Sequence, residues 1–294
     1  PTTAGYVPRS SSNALKDIVA DHYEELLRVY DEKFRSTYGP LHPRIKDLLE
    51  GFTRCGDPHF GFLRLRCCNA DCDDKSERIV PFSCKTRIFC PSCGQKRAIL
   101  WAERMVEEVL PDVPYAAPVV TIAKMLRRAL LFDRSLYGDL CRSAYAATRK
   151  FFRAHFPTLE KAVPAMVVAP QSFGCLLNPH PHCHALTSLG VFTHDGVFHP
   201  APEDIDSGAL EDLFREEVFK TLLKKEKITE ERVDLLRSWR HSGFRVFSER
   251  RIAQGERQEL ESLLQYMERA PVSLNRLQYF DDGKVLYRGN FNPS

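Results

Sequence analysis

No stretch of this chain approaches the roughly 18 to 20 consecutive apolar residues that a bilayer span requires, so no transmembrane helix is expected. The first residues, Pro1-Thr2-Thr3-Ala4-Gly5, lack the basic stretch followed by an apolar one that marks a signal peptide. A cytoplasmic protein without a membrane partner is the expectation. A large charge imbalance is missing too: 42 Lys and Arg stand against 39 Asp and Glu, for a formal net charge of +3. That excludes a histone-like blanket of positive charge, and any nucleic-acid surface has to arise from local clustering. No internal repeat and no low-complexity tract is visible. With 294 residues and 43% hydrophobic content, the chain can bury a sizeable core and divide into two or three substructures.

Cysteine is not scarce. The chain has ten, seven of them crowded from Cys55 to Cys93, which fits reduced thiolates on a metal better than a secreted disulfide scaffold. Cys67 and Cys72 make one pair, with Cys68 as a rival first member. The run Cys90-Pro91-Ser92-Cys93-Gly94 makes a second, a tight knuckle whose backbone amides can donate to thiolate sulfurs and whose glycine lets the turn close. Two knuckles joined by a strand such as Glu77-Arg78-Ile79-Val80-Pro81-Phe82 describe a zinc ribbon. Tetrahedral Zn²⁺ takes four deprotonated ligands, and Cys67, Cys72, Cys90 and Cys93 supply them with no position left for water, so the expected site is structural. Cys55 and Cys84 are left over, as core thiols or as parts of a different ligand set. Cys141, Cys175 and Cys183 read as small buried hydrophobes.

A second signal is Asn178-Pro179-His180-Pro181-His182-Cys183-His184-Ala185-Leu186. Extended residues alternate faces, so His182 and His184 project from one side while Cys183 turns away. Two neutral imidazoles on one rigid element form a clamp for a divalent cation. His180 has the same parity, but the flanking prolines make it the expected frayed end of the strand.

Periodicity places these signals. Helical spacing runs over 13–36, 42–53, 94–110, two helices within 124–156, then 207–226, 229–239 and 256–269. Strands are expected over 115–123, 164–176, 182–192 and 243–249, with His194-Asp195-Gly196 as a hairpin turn. The interleaving predicts an α+β fold with a mainly antiparallel central sheet flanked by helices. We expect an N-terminal helical region over 1–54, a zinc-ribbon DNA-binding domain over 55–95 and a catalytic domain over 96–294. In the last helix Leu260, Leu263, Leu264 and Met267 form the buried stripe, with Tyr266 at its edge. Lys85, Arg87, Lys96, Arg97, Arg240, Arg245 and Arg269 are the candidates for phosphate contact, and Trp239 and Phe244 among the arginines suit base stacking.

The order of these motifs resembles the HUH-superfamily rolling-circle transposases of insertion sequences, particularly the common-region (ISCR) type with an N-terminal zinc-binding domain. The resemblance rests on Phe82-Ser83-Cys84-Lys85-Thr86-Arg87 running into Cys90-Pro91-Ser92-Cys93, and on Leu177-Asn178 before His182-Cys183-His184. It rests also on His241-Ser242-Gly243-Phe244, on Gln265-Tyr266-Met267-Glu268-Arg269-Ala270-Pro271-Val272-Ser273-Leu274, and on Val285-Leu286-Tyr287-Arg288. Some relatives carry two tyrosines four residues apart; Ser262 holds the earlier place here, so the resemblance implies a single-tyrosine enzyme. It implies that Tyr266 attacks a phosphodiester to give a 5′-phosphotyrosine, and that His182 and His184 hold catalytic Mg²⁺ or Mn²⁺. It further implies single-stranded or hairpin DNA at transposon ends as partner. A third metal ligand is needed, and Glu259, Gln265, Glu268 and His180 are the candidates. A zinc-ribbon DNA-binding regulator without catalysis, or a hydrolase built on His180, His182 and His184, remain as alternatives.

Overall fold

The computed structural model describes residues 13–69, 77–86, 88–202, 208–247 and 250–289, in two compact units. The first unit takes in the chain up to Trp101 together with Glu268 onwards. Three helices open it: α1 (Ala14–Lys33), α2 (Arg35–Tyr38) and α3 (Pro43–Thr53). The Asn13 side chain accepts from the Lys16 amide at 3.2 Å and caps α1. Tyr23 donates its hydroxyl to Glu50 Oε1 at 2.7 Å, joining α1 to α3. A hairpin of β1 (Phe62–Arg66) and β2 (Glu77–Pro81) follows, exposed along almost its whole length, and then α4 (Pro91–Arg104).

The second unit spans Ala102 to Met267. A π-helical turn, Met105–Val109, precedes β3 (Tyr115–Ala116) and β4 (Val119–Thr121). Next come α5 (Arg127–Phe132), α6 (Leu136–His155), β5 (Met166–Phe173), β6 (Pro179–Ser188), β7 (Gly190–Phe192) and β8 (Phe198–Pro200). The unit ends with α7 (Gly208–Lys224), α8 (Glu230–Ser238), β9 (Arg245–Phe247), β10 (Arg251–Ile252) and α9 (Arg257–Met267). The last strands of the chain, β11 (Leu277–Tyr279) and β12 (Val285–Tyr287), belong to the first unit. The expected domain over 96–294 includes this tail. Val272, Leu274 and Leu277 instead pack on the small core of Leu15, Phe52 and Cys90, and Tyr279 donates to Asp21 Oδ2 at 2.7 Å.

The expected α+β architecture is present, and among the described residues every strand pairing is antiparallel. In the main sheet β6 is the central strand. β5 runs along one edge of it, and β3 and β4 share the other, carrying β10 and β9 beyond them. The strand expected over 115–123 is broken into two where Pro118 cannot donate a ladder hydrogen bond. β6 starts earlier than expected, at Pro179, and His180 lies within it. Odd-numbered residues of β6 turn their N–H towards the β4 edge, as Ala185 does in donating to Pro118 O at 2.9 Å. Pairing with β4 ends where Thr121 meets His182, so the absent N–H groups of Pro179 and Pro181 cost the ladder nothing.

One face of this sheet is covered by α6 and α7. Val120, Cys183 and Val246 meet Leu140, Ala144, Ala147, Phe214, Val218 and Phe219 in the largest apolar cluster. Phe244 is buried there at 1% exposure, which corrects the expectation that it stacks on bases, whereas Trp239 is 41% exposed. Of the three scattered cysteines Cys183 is buried, Cys141 half-buried and Cys175 exposed, so the last is not a core residue. No helix among the described residues is long and apolar enough to cross a membrane.

The loop into β9 turns at Gly243, with φ +71°, where a Cβ would meet the Ala123 Cα at 3.1 Å. Both the left-handed backbone and the close approach exclude a side chain. Gly243→Ala should therefore lower stability by about 1–2 kcal/mol, read as a lower urea midpoint at unchanged m-value. An unshifted midpoint would show that the loop tolerates a Cβ.

Candidate functional site

Cys90 immediately precedes Pro91, the first residue of α4, and Cys93 lies in that helix's first turn. Thr86 O accepts from the amides of Phe89 and Cys90 at 3.1 and 2.8 Å, which folds the 86–90 turn under the helix start. Gly94 is helical, donating to Cys90 O at 2.9 Å, so it closes no left-handed turn. Cys55 follows α3, its amide bound to Phe52 O at 3.1 Å, and Cys84 stands two residues before Thr86. The ligand atoms of Cys55, Cys84, Cys90 and Cys93 all lie within 4.8 Å of one another.

Their sulfur separations are 3.8 Å for Cys55–Cys93, 3.7 Å for Cys84–Cys93 and 3.7 Å for Cys55–Cys90. A zinc ion with Zn–S bonds of about 2.3 Å sets its tetrahedral sulfurs about 3.8 Å apart. The group therefore has the dimensions of a closed, structural zinc site. Around it, the Cys84 amide donates to Cys55 Sγ at 3.4 Å, and Thr86 Oγ1 lies 2.8 Å from Cys84 Sγ. The Cys84 thiol is driven far below its ordinary range by hydrogen bonds with Cys55, then Cys90 and Cys93, while Cys90 is driven far above. Four sulfurs in contact share a reduced number of protons, and a cation replaces those that remain.

This set differs from the expected one. Cys90 and Cys93 are retained, but their partners are the leftover cysteines Cys55 and Cys84. Cys67 is exposed beyond β1 and outside the group, as is Cys68, while Cys72 lies outside the described residues. Spacing alone favours close pairs; Cys55 is brought in by α3, whose Phe52 packs edge-on against Phe89 at 5.0 Å between ring centroids.

In the second unit, His182 and His184 sit on the face of β6 opposite Cys183, as the alternation requires, and each is 8% exposed. Their Nε2 atoms are 3.2 Å apart. Two ligands cis on an octahedral ion with bonds of about 2.1 Å are separated by about 3.0 Å, so the pair fits one cation. His182 Nδ1 lies 2.7 Å from the carbonyl oxygen of His180, which only accepts, so Nδ1 carries the proton and Nε2 offers its lone pair outwards. His180, half-buried, has its pKa lowered to about 4, chiefly by burial and then by the Arg127 and His182 charges, so it is neutral at physiological pH.

α9 lies over this face. Leu260, Leu263, Leu264 and Met267 are its buried stripe, and Tyr266 at the edge is 43% exposed. The Tyr266 ring meets the His184 ring edge-on, with centroids 5.3 Å apart and planes at 89°. A cavity of about 290 Å³ opens beside them, lined by Ala117, Val119, Ala185, Leu263, Met267 and Arg250. Arg250 belongs to the run of basic residues that precedes α9. Its guanidinium holds Glu259, nine residues on, at 3.1 Å.

The expected phosphate contacts divide between the units. Arg245 is exposed and shares a row across the sheet with Thr121 and His182, on the histidine face. Arg240 is exposed in the same unit. Lys85, Lys96, Arg97 and Arg269 are exposed in the first unit, where Arg97 Nε lies 3.5 Å from Glu268 Oε2. Arg87 lies outside the described residues. Among the candidate third ligands, Glu259 is engaged by Arg250, Gln265 Nε2 donates to Glu261 Oε1 at 2.9 Å, and Glu268 belongs to the first unit.

Residues 26–122 match the family of the transposase zinc-binding domain, of the IS91 type, and residues 165–292 match the family described as putative transposase. The four-cysteine group falls in the first match, and the histidine pair with Tyr266 in the second. Among curated proteins the chain is similar to the transposase for insertion sequence element IS801 of Pseudomonas savastanoi pv. phaseolicola, 28% identical over 149 residues. The alignment takes in 49% of this chain and 33% of that protein, so the chain matches about a third of the relative's length. No solved structure matches the chain.

Replacing Cys55 or Cys84 by Ser should strip tightly held zinc from the purified protein and destabilise the first unit, because metal binding and folding of so small a core are coupled. Cys67→Ser should leave the zinc in place. Elemental analysis of the three variants checks this, and full zinc retention in Cys84→Ser would overturn the assignment.

Proposed function

By its two matched domains this chain belongs with the IS91-family transposases, and on that footing we propose that it nicks and rejoins single DNA strands through Tyr266. The phenolate oxygen of Tyr266 bonds to phosphorus, the bond to the 3′ oxygen breaks, and that oxygen leaves to take up a proton. The products are a 5′-phosphotyrosine and a free 3′ hydroxyl. A second transesterification, with a DNA 3′ hydroxyl attacking the same phosphorus, releases the tyrosine and joins the strands. The bond energy is conserved through both steps, so no external energy source is needed. The observation that carries this reading is the Tyr266 ring packed against His184 on the one sheet face that also bears His182.

The fit of the two Nε2 atoms to a cis pair supports Mg²⁺ or Mn²⁺ at His182 and His184, where a cation supplies neutralisation of charge on the phosphate oxygens. The buried His182 imidazole, fixed through the His180 carbonyl, keeps its orientation without the metal. Tyr266, half-exposed beside the cavity, meets a strand from solvent. Single-stranded or hairpin DNA at element ends is the substrate, because a tyrosine on a helix does not align readily with a phosphate held in a regular duplex. The exposed Arg240, Arg245, Lys85, Lys96, Arg97 and Arg269 contact phosphates, and the zinc-stabilised first unit serves DNA binding.

Tyr266→Phe keeps the ring packing and removes only the oxygen, so stability should move by less than about 0.5 kcal/mol while the covalent adduct disappears. With DNA labelled on the 3′ side of the nick, denaturing electrophoresis should show label travelling with the protein. Co-migration of the 5′ side, or an adduct in Tyr266→Phe, would reject the assignment; cutting with release marks a hydrolase, and reversible binding alone a regulator. His182→Ala should abolish cleavage and leave DNA affinity within about twofold, since phosphate contacts supply most of it. EDTA should reproduce the loss and Mn²⁺ reverse it in the wild type; cleavage at full rate in His182→Ala would remove the pair from the site.

A further inference from the structure

Gln171 lies on β5 directly opposite His182 on β6, so the two side chains share a face and neighbour each other across the strands. The residue is 4% exposed. Its Nε2 donates to Met267 O at 3.2 Å, which ties β5 to the last turn of α9 beside Tyr266. Its Oε1 is buried and has no hydrogen-bond partner among the described residues. Rotating the amide does not repair this, because oxygen would then face the Met267 carbonyl and the NH₂ group would lose its acceptor. Buried side-chain acceptors are nearly always satisfied, and an orphan costs about 1–3 kcal/mol. The pairing register shifts just after Gln171, between it and Phe173, and bulges of this kind re-aim side chains next to active sites. A buried, unpartnered oxygen on the residue that pairs with His182 is the kind of donor that two nitrogens lack for an oxygen-preferring ion.

We propose that Gln171 Oε1 is the third protein ligand of a divalent cation held with His182 Nε2 and His184 Nε2. This rests on the reading of the histidine pair as a metal site. Two nitrogens and one neutral oxygen on adjacent strands would hold such an ion and leave it open to water and a phosphate oxygen. All three protein ligands are neutral, so the cation keeps its full charge against the phosphate. The ligand comes from the strand before the histidines, not from α9, where Gln265 donates to Glu261 and Glu259 is engaged by Arg250.

The test is Mn²⁺ titration of the zinc-loaded protein without DNA, with free Mn²⁺ read by electron paramagnetic resonance. Gln171→Leu should weaken Mn²⁺ binding about tenfold or more, within the range seen when a group that organises a metal site is removed. Gln171→Glu, which supplies an anionic oxygen at the same place, should bind Mn²⁺ at least as tightly as wild type. A folded Gln171→Leu, judged by near-ultraviolet circular dichroism, that binds within twofold of wild type overturns the proposal. If Gln171→Leu does not fold, Gln171→Glu decides: equal or tighter binding supports ligation, and binding weakened as much as in His182→Ala overturns it. His182→Ala titrated in parallel separates the two readings. Loss of Mn²⁺ there with none in Gln171→Leu rejects Gln171 alone, while no loss in either rejects the metal site itself.

Discussion

The site in the second unit depends on β6 being paired along both edges. A strand flanked by β5 on one side and by β3 and β4 on the other cannot shift its register without breaking ladders with all three. A slip of one residue would bury His182 and His184 among the apolar side chains of α6 and α7 and expel Cys183 to the other face. Desolvating two imidazoles in an apolar cluster is costly, so the hydrophobic effect on one face fixes the positions of the polar groups on the other. The central strand is therefore also where the two imidazoles are held most rigidly. His180, at the open end of the same strand, adds its carbonyl to set the His182 tautomer.

The first unit solves a different problem. Its buried apolar cluster consists of little more than Leu15, Phe52 and Cys90 with half-buried neighbours, and its β1–β2 hairpin is almost wholly exposed. So small a core does not hold a unit by itself. Four sulfurs at tetrahedral spacing tie the end of α3, the 84–90 turn and the start of α4 at one point, supplying by coordination what apolar burial does not.

Charge follows the same economy. With a net charge of only +3, the basic residues act through placement, not number. Arg250 with Glu259 and Arg97 with Glu268 are exposed or half-exposed pairs, of the kind worth about 0–1 kcal/mol. A guanidinium so weakly held can pass from a carboxylate to a phosphate at little expense, and it stays oriented until a strand arrives. Arg250 stands at the cavity beside Tyr266 and His184.

Local chemistry is what the sequence determined. Period-two alternation put His182 and His184 on one face and Cys183 on the other, and period 3.6 placed Tyr266 at the edge of the α9 stripe. Helix caps and turns located most elements, and the antiparallel α+β class followed from their order. Each of these depends on neighbours a few residues apart, which a linear pattern records. Tertiary structure decided the partners. Cys55 and Cys84 join Cys90 and Cys93 because α3 packs on the 84–90 turn, and no spacing rule connects residues so far apart. Phe244 went to the core and the C-terminal strands to the first unit because apolar contacts there outweighed local composition. Gln171 had no signal of its own in the chain. Only the pairing of β5 with β6, and the α9 carbonyl that holds its nitrogen, set this amide opposite His182 and left its oxygen without a partner among the described residues.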